Sequence, residues 1–333
     1  MASVTAPVGA AEPAAAPARA GTARRNDGAL HAALFAGLVA VLVAAPFLAY
    51  PVFVMRVMCF ALFASAFNLL LGYGGLLSFG HAAYFGLASY VCAVAARSWG
   101  LDPAAAILLG TAASAGLGLV FGAIAIRRQG IYFSMITLAL AQIVYFVSLQ
   151  APFTGGEDGI QGVPRGRLLG LVDLAPDGML YGLVLAIFIG GLLAIYRIVH
   201  SPFGQVLRAI RENENRALSL GYRVERYRLA VFVMSAALSG LAGATKALVF
   251  QLASLTDVHW TMSGEVVLMT LIGGMGTMFG PTVGALVFVA LEFYLASIGS
   301  WVTVVEGAVF VVCVLAFREG IVGVLARRLG RPL

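Results

Sequence analysis

Long apolar runs separated by short polar segments dominate this chain. Most of them are close to 20 residues long, which is the length an α-helix needs to cross a hydrocarbon layer of about 30 Å. The runs lie near residues 29–50, 52–71, 75–96, 103–126, 131–150, 179–199, 229–250, 263–275, 281–298 and 301–318. The eighth is too short to cross alone, so we expect it to be tilted, broken or re-entrant. The pattern predicts an all-α, polytopic membrane bundle of about 8–10 membrane segments, with broken or re-entrant helices.

The two ends of the chain differ from the apolar part. Residues 1–28 are rich in Ala, Pro, Gly and Thr without apolar periodicity, so we expect a disordered tail. Residues 321–333 are expected to form a C-terminal tail, which leaves 29–320 as the membrane domain. The Arg pair before the first apolar run resembles the start of an export signal. That run is longer than a signal's apolar core, which favours an uncleaved first span.

Composition and charge support a membrane protein and give it an orientation. Of 333 residues, 61% are hydrophobic and 11% are charged, whereas soluble domains carry about a quarter charged residues. With both termini inside and the spans alternating, 16 of the 21 basic residues fall on the inner side. Cytoplasmic segments of membrane proteins are enriched in Lys and Arg. We therefore predict cytoplasmic N- and C-termini, with the long loop 151–178 outside.

The basic segment, residues 201–228, interrupts the apolar pattern. Ser201 is a preferred N-cap residue, and Pro202 suits the first helical turn because its missing N–H needs no partner there. Apolar residues then recur at i, i+3, i+4 and i+7, which is the pattern of one helix face. They are Phe203, Val206, Leu207 and Ile210.

A second short helix is predicted from about Glu214 to Leu220, because Gly221 is a natural residue to end it. Three roles are compatible with such a segment. It can lie on the membrane surface with its arginines at anionic headgroups, it can be a solvated loop that sets topology, or it can dock on a cytoplasmic partner. Gly204 beside Pro202 and two short helices at an angle favour a defined shape over a plain loop.

Three blocks of sequence resemble the permeases of branched-chain amino-acid ABC transporters, and more specifically the second of their two permease subunits. The blocks are residues 68–86, residues 201–214 with 220–221 and 227–244, and residues 273–285. The resemblance covers about residues 30–325. It implies that this chain resides in a bacterial inner membrane. It also implies a homologous second permease, two cytoplasmic ATPase subunits and a periplasmic binding protein as partners, and no nucleic acid.

The resemblance further implies that 201–221 is a coupling loop that rests on an ATPase subunit. General ABC importers carry a Glu-Ala-Ala…Gly pattern there, which Glu214-Asn-Arg-Ala217 only partly matches before Gly221. The implied coupling residues are Ser201, Pro202, Phe203, Gly204, Leu207, Arg208, Ile210, Arg211, Glu212, Glu214 and Gly221.

Nucleotide hydrolysis by this chain is not expected. A P-loop needs Gly-Lys-Ser/Thr, and the only lysine, Lys246, follows Thr245 and precedes Ala247. Nor do the residues contain a catalytic set or a metal-ligand spacing, so we expect a transport subunit that is not an enzyme and binds no cofactor. ATP would be bound by partner subunits.

Two glycine-rich blocks, at 72–86 and 273–284, fall inside or beside the predicted membrane. They are compatible with broken helices that expose backbone polar groups to a substrate, and equally with close packing or turns. Ser78, Gly80 and His81 lie in the first block, where a neutral histidine bonded to a neighbouring helix is the favoured role.

Acidic residues in the last three spans are candidates for the substrate path, because charges in membrane spans are costly and often functional. They are Glu265, Glu292 and Glu306. They are compatible with contact to a substrate ammonium, with the outer interface, or with pairing to Arg56 or Lys246. The sequence thus predicts the permease subunit of an ATP-driven importer for branched-chain amino acids or related small polar solutes. A stand-alone, ion-coupled secondary transporter or channel is the alternative.

Overall fold

The computed structural model describes residues 20–168, 170, 172–295, 299, 304–305, 307–308, 311–312, 315 and 320–329. In this part of the chain the main elements are α-helices, and five of them are long and apolar enough to cross a membrane. The prediction of a polytopic helical membrane protein is confirmed.

The helices follow the predicted runs closely. In chain order they are α1 (Ala20–Leu48), α2 (Pro51–Asn68), α3 (His81–Arg97), α4 (Pro103–Ala125), α5 (Ile131–Gln150), α6 (Asp177–His200), α7 (Pro202–Glu212), α8 (Glu214–Ser219), α9 (Val224–Phe250), α10 (Trp260–Gly273), α11 (Gly280–Leu295) and α12 (Gly320–Leu329). The first nine residues of α1, 20–28, fall in the segment predicted as the N-terminal tail. Helix α12 extends into the segment predicted as the C-terminal tail, 321–333. The predicted run 301–318 lies largely outside the described residues.

Helix α2 lies at the centre of the bundle. In the most apolar 18-residue stretch of α2 and the turn that follows it, 89% of the residues are buried. The corresponding share is 33% in α4 and in α5. It packs against α6, α9, α10 and α11, while α3 packs against α4 and α9. Because α4 and α5 keep most of their surface outside the bundle, they have the exposed apolar faces expected beside lipid.

The chain leaves the helical path between α2 and α3. Helix α2 continues into one π-helical turn, Leu69–Tyr73, and residues 74–80 are not helical. The predicted span 75–96 is therefore wrong in its first six residues. Side chains of α5 hold this loop in place, because the Ser134 hydroxyl donates to the Leu77 carbonyl at 2.6 Å and the Thr137 hydroxyl accepts from the Phe79 N–H at 3.2 Å.

Helices α10 and α11 are short and form a hairpin. At 1.5 Å per residue, their 14 and 16 residues reach only about 21 and 24 Å, less than the hydrocarbon thickness of about 30 Å. The sequence predicted a short eighth segment, and α10 matches it.

Four two-residue strands lie at the opposite end of the bundle from α7 and α8. Strand β1 (Ile160–Gln161) pairs antiparallel with β4 (Leu252–Ala253), and β2 (Arg167–Leu168) pairs with β3 (Val172–Asp173). The first pair fastens the α5–α6 connection to the end of α9. The predicted outer loop is therefore an ordered cap over this end.

Candidate functional site

The basic segment folds into two short helices, as the sequence predicted. The hydroxyl of Ser201 accepts a hydrogen bond from the Gly204 N–H at 3.3 Å, and Pro202 occupies the first turn of α7. Asn213 begins α8, since its side chain accepts from the Arg216 N–H at 3.0 Å. Each cap satisfies an N–H that the helix itself leaves without a partner.

Gly221 ends α8 with a φ of +83°. Its N–H donates to the Leu218 carbonyl at 2.9 Å, and the Tyr222 N–H donates to the Ala217 carbonyl at 3.2 Å. This pair of hydrogen bonds is a Schellman motif, which requires a left-handed residue at the glycine position. The helix–glycine layout that the sequence predicted is therefore present in the structure.

The apolar face of α7 packs against the rest of this chain. Leu207 and Ile210 are buried, and the ring of Phe203 stacks on that of Tyr227 with centroids 5.4 Å apart. Ile210 packs with Ala217 of α8 and with Val224 at the start of α9. These predicted coupling residues fix the position of the two helices, whereas the opposite face remains outside.

The arginines of α7 reach the first glycine-rich block. The Arg211 guanidinium donates to the carbonyl of Gly72, and the Arg208 guanidinium lies 5.1 Å from the ring centroid of Tyr73. Both partners belong to the π-helical turn at the end of α2. Helix α7 is thereby linked directly to the central helix of the bundle.

Asn68, the last residue of α2, bonds to the second glycine-rich block. Its amide donates to the Thr277 carbonyl at 2.9 Å and accepts from the Gly276 N–H at 2.8 Å. A Cβ at Gly72 would lie 2.6 Å from the Gly276 nitrogen, so only glycine allows this approach. The two blocks therefore pack closely at Gly72 and Gly276, and exposure of their backbone groups to a substrate stays a prediction.

Glu214 is bound within this chain. Arg228 of α9 donates two hydrogen bonds to the Glu214 carboxylate, both at 2.8 Å, and Gln129 donates a third at 2.9 Å. The Arg228 pair fixes α8 against α9, and the Gln129 bond fixes α8 against the α4–α5 connection. These bonds give Glu214 a positioning role within this chain, and its predicted contact with an ATPase stays a prediction.

The outward face of α7 and α8 combines apolar and charged side chains. Leu218 is 52% exposed and Leu220 is 68% exposed. Glu212 and Arg216 border a groove of ≈ 260 Å³ that Leu220 also lines. We call this face, formed by Glu212, Arg216, Leu218, Leu220 and Tyr222, the coupling surface.

Sequence reasoning did not select Leu218 or Leu220. A six-residue helix is too short for apolar periodicity to assign a face. Their place beside the terminating Gly221, at the end of a short polar helix, was the available signal.

Removing the Arg211 side chain should destabilise the chain more than removing that of Arg208. A hydrogen bond from a charged donor contributes about 1.5–3 kcal/mol, whereas an exposed cation–π contact contributes about 0.5–1 kcal/mol. We expect Arg211→Ala to lower the thermal unfolding midpoint of the detergent-solubilised chain more than Arg208→Ala. Equal midpoints for the two variants would contradict the assigned contacts.

Three predicted path residues, Ser78, Gly80 and His81, are buried where the loop after α2 enters α3. His81 is fully buried, and its Nε2 lies 2.9 Å from the Ser235 hydroxyl, which itself donates to the Ala66 carbonyl at 2.6 Å. Ser78 is buried and accepts from the Gly80 N–H at 3.2 Å. This is the helix-to-helix bond favoured for His81, and contact of these residues with substrate stays a prediction.

The acidic path residues differ in their surroundings. Glu292 forms an ion pair with Arg56 at 2.5 Å, and Lys246 pairs instead with the buried Asp257 at 2.6 Å. Glu265 is half-buried on α10, and Glu306 lies outside the described residues. The alternative that paired an acidic residue with Arg56 is therefore confirmed for Glu292.

An apolar cavity of ≈ 730 Å³ opens between α3, α4 and α5. Its walls include Tyr90, Val94, Phe121 and Val147, and the predicted path residues do not line it. A cavity with such walls offers no charged group to a polar solute.

Comparisons with known proteins agree with this architecture. Residues 50–314 match the family model described as "Branched-chain amino acid transport system / permease component". The chain is 26% identical over 315 residues to the high-affinity branched-chain amino acid transport system permease protein LivM of Escherichia coli K12, covering 85% of this chain and 74% of that protein. It is also 26% identical over 287 residues to LivM of Salmonella typhimurium LT2, covering 79% and 68%. No solved structure matches.

Proposed function

The chain belongs to the family of permease components of branched-chain amino acid transport systems, and from this premise we propose that it is a membrane subunit of an ATP-driven importer. A second, homologous permease would complete the path, two ATPase subunits would dock on the inner side, and a periplasmic binding protein would deliver the solute. The proposed location is a bacterial inner membrane. The proposed solutes are branched-chain amino acids or related small polar molecules.

The link between α7 and the π-helical turn is the observation that supports coupling best. Arg211 and Arg208 contact Gly72 and Tyr73 at the end of α2. A partner that pushes on the coupling surface would therefore move α2, the most buried helix of the bundle. Coupling of two sites requires such an element, whose position both sites can bias.

The second glycine-rich block would move with the first. Asn68 hydrogen-bonds to Gly276 and Thr277 in the α10–α11 connection. Displacement of α7 would thus reach both α2 and the α10–α11 hairpin. ATP hydrolysis stays with the partner in this proposal, because the chain supplies no P-loop lysine.

Uptake by reconstituted protein tests the proposal. The chain is purified with its co-purifying subunits, placed in vesicles with the binding protein, and supplied with ATP and labelled leucine. We expect uptake that requires ATP and every subunit. Uptake by this chain alone, driven by an ion gradient, would instead establish the secondary transporter.

A further inference from the structure

Two ion pairs surround one aromatic ring near the end of the bundle that carries β1 and β4. The Arg56 guanidinium lies 6.0 Å from the centroid of the Phe250 ring, and the Lys246 ammonium lies 5.6 Å from the same centroid. Each cation has its own carboxylate, on Glu292 and Asp257 respectively. The cluster therefore carries no net charge, although it contains two charges of each sign.

The two pairs differ in how completely they are bonded. Lys246 contacts both oxygens of Asp257, at 2.7 and 2.6 Å, and the side chains are 11% and 2% exposed. Arg56 contacts Glu292 through one nitrogen and one oxygen, and the side chains are 26% and 37% exposed. The Lys246–Asp257 pair, which we call the closed pair, is bonded at both oxygens and buried, whereas the Arg56–Glu292 pair, which we call the open pair, is joined by one bond and partly exposed.

The open pair has unused bonding capacity. A guanidinium carries five N–H donors, and a carboxylate accepts several hydrogen bonds. Within the described part of the chain, Arg56 and Glu292 make no hydrogen bond other than the one that joins them. In contrast, the pair between Arg228 of α9 and Glu214 of α8 uses two nitrogens and both oxygens.

We propose that the Arg56–Glu292 pair binds the charged backbone of a zwitterionic α-amino acid during import. The substrate carboxylate would take two parallel hydrogen bonds from Arg56, the geometry that a guanidinium favours. The substrate ammonium would pair with Glu292, and the aliphatic side chain would lie on the apolar ring of Phe250. This inference rests on the proposed function and names the substrate class that this site recognises.

A zwitterion suits the pair because it leaves no charge without a partner. It replaces one bond between Arg56 and Glu292 with ionic bonds at both of its ends. A ligand with only a carboxylate or only an ammonium would leave one of the two groups exposed and unpaired, which is costly in a partly desolvated site. The closed Lys246–Asp257 pair meanwhile holds the ring of Phe250 in position.

The place of the pair in the fold agrees with this role. Arg56 lies in the second turn of α2 and Glu292 in the last turn of α11. In the predicted orientation both are at the outer end, where a binding protein would release its solute. Since α2 also ends at the π-helical turn bound by α7, one helix joins this site to the coupling surface.

ATP-driven uptake of labelled leucine by the assembled complex tests the proposal. We expect Glu292→Gln and Arg56→Gln each to lower uptake at least about tenfold, the loss expected for a charge-assisted bond, while co-purification of the subunits stays unchanged. The exchanged pair Arg56→Glu/Glu292→Arg restores an ion pair between α2 and α11 with its charges reversed. If the pair recognises substrate, the exchange does not recover uptake.

Asp177→Asn is the matched control, because Asp177 pairs with Arg165 at 2.7 Å at the same end of the bundle. Its uptake should equal that of the unaltered complex. Uptake within twofold of normal in Glu292→Gln, or recovery in the exchanged pair, would overturn the substrate role and leave the importer function standing. If the exchanged pair does not assemble, Glu292→Gln alone decides. Absence of uptake by the unaltered complex would reject the proposed function itself.

Discussion

Replacing Leu218 and Leu220 together by aspartate should abolish association with the ATPase subunit and, with it, ATP-driven uptake. Both side chains are more than half exposed at the end of α8, so the change costs little in the isolated chain. A docked ATPase would cover them, and burying two carboxylates without partners costs several kcal/mol. We expect at least a hundredfold weaker association, which corresponds to about 2.7 kcal/mol, measured by co-purification at fixed concentrations.

Val172→Asp is the control for this double variant. Val172 is 39% exposed in β3, at the opposite end of the bundle. It introduces the same charge at an apolar surface position and should leave association unchanged. If the Leu218 and Leu220 variant retains its ATPase, the coupling surface is assigned to the wrong residues.

Lys246→Ala should produce the largest loss of stability among single changes considered for this chain. It leaves the carboxylate of Asp257, which is 2% exposed, without its cation. Breaking a buried ion pair by removing one partner costs about 3–5 kcal/mol, because the remaining charge stays desolvated. The free energy of unfolding in detergent measures the effect.

Two further variants test whether the stability loss in Lys246→Ala comes from the unpaired charge of Asp257 or from lost side-chain contacts. Lys246→Met with Asp257→Asn removes both charges and should recover most of the lost stability, since a neutral replacement of a buried pair is often tolerated. Asp177→Ala breaks a pair whose carboxylate is 49% exposed and should cost about 1 kcal/mol or less. Equal losses in Lys246→Ala and Asp177→Ala would contradict the closed pair.

Apolar run length and local capping residues carried most of the fold prediction. Ser201, Pro202 and Gly221 defined both short helices of the basic segment, because a cap and a left-handed glycine act within a few residues of the chain. The helices α4, α5 and α6 match their predicted runs within two residues. These features are local, so periodicity and turn chemistry were sufficient.

Contacts between distant parts of the chain were not predictable in the same way. Arg211 and Gly72 are 139 residues apart, and Asn68 and Gly276 are 208 residues apart. Neither spacing nor charge pattern indicates which arginine meets which carbonyl. The sequence predicted Arg211 as a coupling residue but did not indicate that its guanidinium bonds to Gly72.

The loop after α2 shows a second limit of sequence patterns. Its apolar character resembled a continuous span, yet residues 74–80 are not helical. Two of its backbone groups, the Leu77 carbonyl and the Phe79 N–H, bond to Ser134 and Thr137 of α5. A backbone can leave the helical path at membrane depth only where such partners exist, and the partners lie about 60 residues away in sequence, too far for a local pattern to reveal.

Cross-linking at the coupling surface tests the central claim, that α7 and α8 transmit the movement of an ATPase. Leu220→Cys is introduced into a chain whose Cys59, Cys92 and Cys313 are replaced by serine, and the assembled complex is treated with a short thiol cross-linker. We predict a covalent adduct with the ATPase subunit whose formation blocks ATP-driven uptake of leucine. A complex that imports leucine at the normal rate while Leu220→Cys forms no adduct with the ATPase would contradict the claim.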